Sequence, residues 1–145
     1  MDNLKVGTGG ELAVASKMAQ LGFNISFPIG SEPYDLIAEK GGGCHRIQVK
    51  TGKLQKRGSY RICLSHGRLN KGHYCKRQCD YVVLFAPYSK DFEGINEDGY
   101  YVIPVADIQR LKKYHATIFP AGLGRGSIGT CNWEKYRDGW QSIQK

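Results

Sequence analysis

The chain has 145 residues and carries 21 Lys and Arg against 13 Asp and Glu, a net charge of +8. That length fits one domain, residues 1–145, with a core that needs no covalent staples. Five cysteines, an odd number, exclude a complete internal disulfide framework, and no apolar run approaches the ~18 residues of a membrane span.

The first predicted element is a helix over residues 9–22. Leu12, Ala15, Met18, Ala19 and Leu21 recur on one side at helical spacing, and Gly22 stops it. Phe23, Ile25, Phe27 and Ile29 alternate, which predicts a strand over 23–29. Two more strands, 34–39 and 45–50, flank the turn Gly41-Gly42-Gly43. Residues 60–64 and 100–103 read as strands, and the apolar run 80–86 as a central one. Pro104 then leads into a short helix over 106–112, because a proline at a helix start removes no needed N–H. The order of elements gives an α/β (α+β) fold, a central mixed β-sheet flanked by helices.

The charge is concentrated. Residues 40–79 hold eleven Lys and Arg and no acidic residue, while the remainder carries a net −3. Tyr60 and Tyr74 lie inside that stretch. An acid-free basic segment is the footprint expected for a polyanion, most often nucleic acid. The candidate phosphate contacts are Lys53, Lys56, Arg57, Arg61, Arg68, Lys71, Lys76 and Arg77, with Ser31 in the loop before the second predicted strand.

One constellation opens this stretch. If the hairpin turns on Gly41-Gly42 and pairs Lys40 with Gly43, Asp35 falls opposite Gln48, with Cβ atoms ~5 Å apart. Gln48 and Lys50 share a face of their strand, and Val49 faces the other way. A carboxylate, an amide oxygen and an ammonium then converge. That set suits metal-assisted phosphodiester hydrolysis, in which hard oxygen ligands hold Mg²⁺ and the lysine offsets developing charge. It is equally the pattern of a turn-capping Asp and a solvated lysine at the end of a strand.

Pro33-x-Asp35, followed thirteen residues later by Gln48-x-Lys50, resembles the PD-(D/E)XK nuclease superfamily. The strings Gly10-Glu11-Leu12-Ala13-Val14-Ala15, Tyr34-Asp35-Leu36-Ile37, Arg46-Ile47-Gln48-Val49-Lys50-Thr51-Gly52, Cys79-Asp80-Tyr81-Val82-Val83 and Tyr101-Val102-Ile103-Pro104 resemble its branch containing group I intron-encoded homing endonucleases. The resemblance covers roughly residues 7–110. It implies a restriction-endonuclease-like core and Mg²⁺-dependent cleavage of double-stranded DNA. It also implies that Asp35 is the principal metal ligand, with Gln48 and the Val49 carbonyl beside it, and that Lys50 is the catalytic lysine. Gln48 departs from the usual Glu or Asp, which leaves one negative charge fewer. Glu11 reads two ways: as a helix carboxylate facing the metal site, or as the last residue of a capping box, Thr8-Gly9-Gly10-Glu11.

Three other patterns carry less. Gly124-x-Gly126-x-x-Gly129 lacks the strand and the acidic residue of a dinucleotide fingerprint and reads as a loop in which Arg125 can touch phosphate. Cys63-x-x-His66 with His73-x-Cys75-x-x-x-Cys79 matches no strong zinc spacing. Trp133, Tyr136 and Trp140, at i, i+3 and i+7, read as a docking face of the C-terminal segment. The expectation is an intracellular, nucleoid-associated endonuclease acting as a homodimer or homotetramer, with no membrane partner, because one small protomer covers little DNA and two strands must be cut. A Holliday-junction resolvase of the same fold and a non-catalytic nucleic-acid-binding module are the alternatives.

Overall fold

A long helix, α1, spans Asn3–Gln20 and starts well before the predicted residue 9. The computed structural model describes residues 2–65, 72–120 and 132–144. Asp2 is the N-cap, and its carboxylate accepts from the Leu4 N–H at 2.9 Å. The predicted capping box at Thr8–Glu11 therefore starts nothing, and its residues lie inside the helix. Glycines are weak helix formers, but here packing overrides propensity. A Cβ on Gly10 would stand 1.8 Å from Thr51 Oγ1, so only glycine lets α1 approach the sheet this closely. The buried stripe is Gly10, Val14, Ala15 and Met18, set by the i, i+4 row that Gly10 begins. Leu12 and Ala19, expected inside, fall off that row and are exposed.

The main sheet contains β1 (Asn24–Ser26), β2 (Leu36–Lys40), β3 (Gly43–Thr51), β6 (Tyr81–Ala86) and β7 (Gly99–Pro104). They are ordered β1-β2-β3-β6-β7. All neighbours are antiparallel except β3 and β6, which run parallel at the centre. Gly41 and Gly42 adopt φ of +59° and +84°, as a two-residue hairpin turn of this hand demands. That turn pairs Lys40 with Gly43 and Leu36 with Ile47, the register expected from the sequence. β1 is shorter than predicted. Pro28 has no N–H to continue the ladder, and Phe27 and Ile29 are exposed.

A second sheet was not anticipated. β4 (Lys53–Leu54), β5 (Tyr60–Cys63) and β8 (His115–Ile118) form it in that order. It packs Tyr60, Ile62, Ala116 and Ile118 against Leu84, Tyr101 and Ile103 of the main sheet. On the opposite face, Val14 and Met18 of α1 cover Leu36, Ile47, Val49 and Val83. β6 thus faces buried side chains on both sides, as a central strand does. A short helix, α2 (Val105–Leu111), follows Pro104 directly.

The C-terminal aromatics do not form one docking face. They sit on two 3-10 helices, Trp133–Tyr136 and Trp140–Gln144. Between these, Arg137 bridges to Tyr101 at the edge of β7, and the Asp138 N–H donates to the Tyr100 carbonyl at 2.9 Å. Trp133 and Tyr136 join the core under the small sheet, and Trp140 joins the core under α1. The segment clasps the outer strand from both sides. Among the described residues, no helix is long and apolar enough to cross a membrane.

Candidate active site

Asp35 stands immediately before β2, where β2 and β3 part. Its backbone N–H still donates to the Ile47 carbonyl at 2.8 Å. Opposite Val49, however, no β2 residue continues the ladder, and the Asp35 carboxylate takes over. Oδ2 accepts from the Val49 N–H at 2.8 Å and from Gln48 Nε2 at 2.8 Å. Gln48 Nε2 also lies 3.2 Å from the Val49 carbonyl oxygen. Both of these neighbours are acceptors, so the amide must present its NH₂ to them. Gln48 is nearly fully buried. One positively polarised amide group therefore fills the space between a carboxylate and a backbone carbonyl.

Lys50 rises from the same face of β3 as Gln48. Its Nζ lies 5.2 Å from the centre of the Tyr74 ring. Tyr74 is 5% exposed. Burial pushes its hydroxyl above the ordinary range, opposed by the Lys50 ammonium beside it. Burial likewise pushes the Asp35 carboxyl up, against the Val49 N–H and the Lys50 charge, which lower it. Glu11, one residue beyond the close contact of Gly10 with β3, is half-buried, and its carboxyl is raised by burial and then by the charge on Asp35. Burial, the largest cause at both carboxyls, penalises their charged forms, a cost that a bound cation would offset.

The donor set fits a hard divalent cation. Asp35 and Glu11 offer carboxylates, Val49 a carbonyl, and Gln48 an amide oxygen once its side chain turns over. Imidazole and thiolate ligands of a zinc type do not gather here, and the described residues contain no group of three or more His, Cys, Asp or Glu suited to a metal. Cys79 is buried in the core, with its thiol pushed up to about 12 by burial and by Asp80.

The PD-(D/E)XK endonuclease family model matches residues 1–128, most of the chain. The chain belongs to the PD-(D/E)XK endonuclease family. The structure is also similar to a solved structure described as a bacterial homing endonuclease, I-Ssp6803I. The TM-score is 0.76 at 19% identity, covering 99% of this chain and 93% of that one. At that identity the likeness is one of fold, and it agrees with the mixed sheet and helices described above. No curated protein matches the chain.

In this PD-(D/E)XK endonuclease the sequence pattern Asp35, Gln48-Val49-Lys50 and Glu11 comes together at one end of the β2–β3 hairpin. The other candidate residues are arranged around it unevenly. Lys53, Lys56, Arg57 and Arg61 are all exposed on the β4–β5 hairpin, which leaves β3 just after Lys50. Lys53 and Arg61 are cross-strand partners, an arrangement of like charges that costs stability unless an anion lies between them. Lys53 Nζ also reaches Asn3 Oδ1 at 2.7 Å. Ser31 is exposed in the connection that leads to Asp35. Lys76 is paired with Asp80 at 3.0 Å, and the Arg77 carbonyl accepts from Arg46 at 2.9 Å. Burial works against the Asp80 charge, yet Arg46 and Lys76 hold its carboxyl down at about 2, which makes this cluster a strut between β3 and β6. Arg68, Lys71, His66, Arg125 and the Gly124–Gly129 pattern lie outside the described residues. Tyr74 is the site neighbour that sequence reasoning did not assign; its only signal was its place within the basic stretch.

Proposed function

We propose that this nuclease is a single-domain, Mg²⁺-dependent endonuclease of double-stranded DNA. We further propose that it cuts at specific sites in the manner of a homing enzyme and works as a homodimer or homotetramer. The observation that carries the proposal is the convergence of Asp35, Gln48 and the Val49 carbonyl beside Lys50, at the root of an exposed basic hairpin. The description of the structurally similar protein as a homing endonuclease supports the site-specific reading.

Asp35, the Val49 carbonyl and the turned Gln48 amide would hold the cation, with Glu11 as a second carboxylate nearby. When bound, Mg²⁺ supplies charge stabilisation at the scissile phosphate and a more acidic water. Lys50 donates to a phosphate oxygen or to the attacking water and offsets the charge that builds up as the P–O bond to the leaving sugar oxygen breaks. Tyr74 and the core beneath it keep bulk water from the Lys50 side. The β4–β5 hairpin lies along the phosphate backbone and positions the duplex without reading bases.

Supercoiled plasmid and a genomic library incubated with Mg²⁺, with the ends mapped, test the proposal. Recurrent ends at one sequence are expected. Preference for four-way junctions over any linear site would favour a resolvase, and binding without cleavage would favour a non-catalytic module. Binding also has a salt signature. The slope of log affinity against log salt should be about −0.9 per neutralised phosphate. Replacing Lys53, Lys56, Arg57 and Arg61 together by Ala should flatten it by roughly three to four such units. A slope unchanged in that variant would put the DNA surface elsewhere.

A further inference from the structure

We propose that Tyr74 is a positioning residue that holds the Lys50 ammonium in the active site; this rests on reading that site as a nuclease centre. A lysine side chain has four rotatable bonds and loses much freedom when fixed. Lys50 needs an anchor if its ammonium is to meet a phosphate in one place. Asp35 is engaged by the Val49 N–H and the Gln48 amide, so it does not serve Lys50 alone.

Tyr74 is built to do this. Its ring is embedded with Leu64, Cys79 and Val82 in the core between the two sheets. Lys50 Nζ stands 5.2 Å from the ring centre, and the ammonium acts on the phenol, lowering its pKa against the effect of burial. A hydroxyl oxygen that accepts one ammonium proton leaves the other two for substrate. The backbone beside Tyr74 is held as well. Residues 73 and 65 form a bridge, and the following turn is closed by the Gln78 and Cys79 N–H groups donating to the Cys75 carbonyl at 2.8 and 3.2 Å. The next residue, Asp80, is clamped to β3 by the Arg46 N–H at 2.8 Å and Arg46 Nε at 3.2 Å. The segment bearing Tyr74 is thus tied to the same strand that bears Lys50, and the two side chains keep one geometry. A tyrosine serves where a carboxylate would not, because it fixes the ammonium without neutralising it.

The test is Tyr74→Phe, which keeps the ring and its packing and removes the oxygen. Single-turnover cleavage at saturating DNA and Mg²⁺ should slow by about tenfold or more, with DNA affinity and melting temperature unchanged. In the free protein, without metal or DNA, the ¹⁵Nζ signal of Lys50, identified by its loss in Lys50→Ala, should be resolved in the wild type. It should move or vanish by exchange in Tyr74→Phe. A wild-type cleavage rate, or an unmoved Lys50 signal, would overturn the proposal. So would a slowed rate that returns to the wild-type value on cooling, which would assign Tyr74 to packing alone. If the wild type cuts no DNA, the nuclease reading fails, and the lysine spectrum still decides whether Tyr74 holds Lys50.

Discussion

Lys50→Ala protein is expected to bind duplex DNA as the wild type does and to cleave it roughly 10²–10³-fold more slowly, the usual cost of deleting one preorganised charge at a reacting centre. Asp35→Asn should lose at least as much, because it removes a carboxylate from the ligand set while keeping an oxygen to accept the Val49 N–H. The two variants differ from ordinary destabilising changes in a second measurement. Burial raises the Asp35 carboxyl above its ordinary range, so folding disfavours its charged form relative to the unfolded chain. Its contribution to stability is therefore greatest at low pH and falls as pH rises through the raised value, and at neutral pH the ionised group is a net cost. Asp35→Asn should then melt no lower than the wild type at pH 7 in chelator. Nicking assays beside gel shifts and thermal melts give all three quantities. Near-wild-type cleavage by either variant would remove these residues from the chemistry, and a large drop in melting temperature for Asp35→Asn would make Asp35 a structural cap.

Gln48 should separate metal binding from folding. Its NH₂ now lies between Asp35 Oδ2 and the Val49 carbonyl. Gln48→Glu replaces that donor with a carboxylate facing two acceptors. In chelator the variant should lose about 1–3 kcal/mol, the scale of an unsatisfied buried group, and melt lower than the wild type. Two neighbouring carboxylates raise one another's pKa, so this loss should shrink as pH falls from 7 towards 5. Mg²⁺ should restore the melting temperature, because a hard cation prefers a carboxylate to an amide. The same substitution should move half-maximal cleavage to lower Mg²⁺, by roughly tenfold for each 1.4 kcal/mol of tighter binding. The maximal rate need not rise, since the added charge repels the phosphate. Gln48→Ala should move the curve the other way. Superimposable Mg²⁺ curves for all three proteins would place Gln48 outside the ligand set.

The register that joins Asp35 to Gln48 was legible because it depends on neighbours in sequence. Two glycines fix the turn, and strand side chains alternate with a period of two, so the pairing of Lys40 with Gly43 carries unchanged to Leu36 and Ile47. The basic β4–β5 hairpin was legible as charge for the same reason, since its cations are contiguous. Period two also placed Gln48 and Lys50 on one face before any partner strand was known.

What the tertiary structure decided involves residues distant in sequence. Glu11 reads as a cap from its local string, and only the contact of Gly10 with Thr51, forty-one positions later, shows that it lies mid-helix and near Asp35. The small sheet needs His115–Ile118 to join Tyr60–Cys63, a pairing that no local period announces in a four-residue strand. Trp133 and Trp140 look alike on a helical wheel, yet the Arg137 bridge to β7 sends them to opposite cores. Tyr74 meets Lys50 from twenty-four positions away, on a segment that the Asp80–Arg46 clamp ties to β3. Propensity and periodicity act over a few residues, and these contacts depend on which surfaces the folded chain brings together.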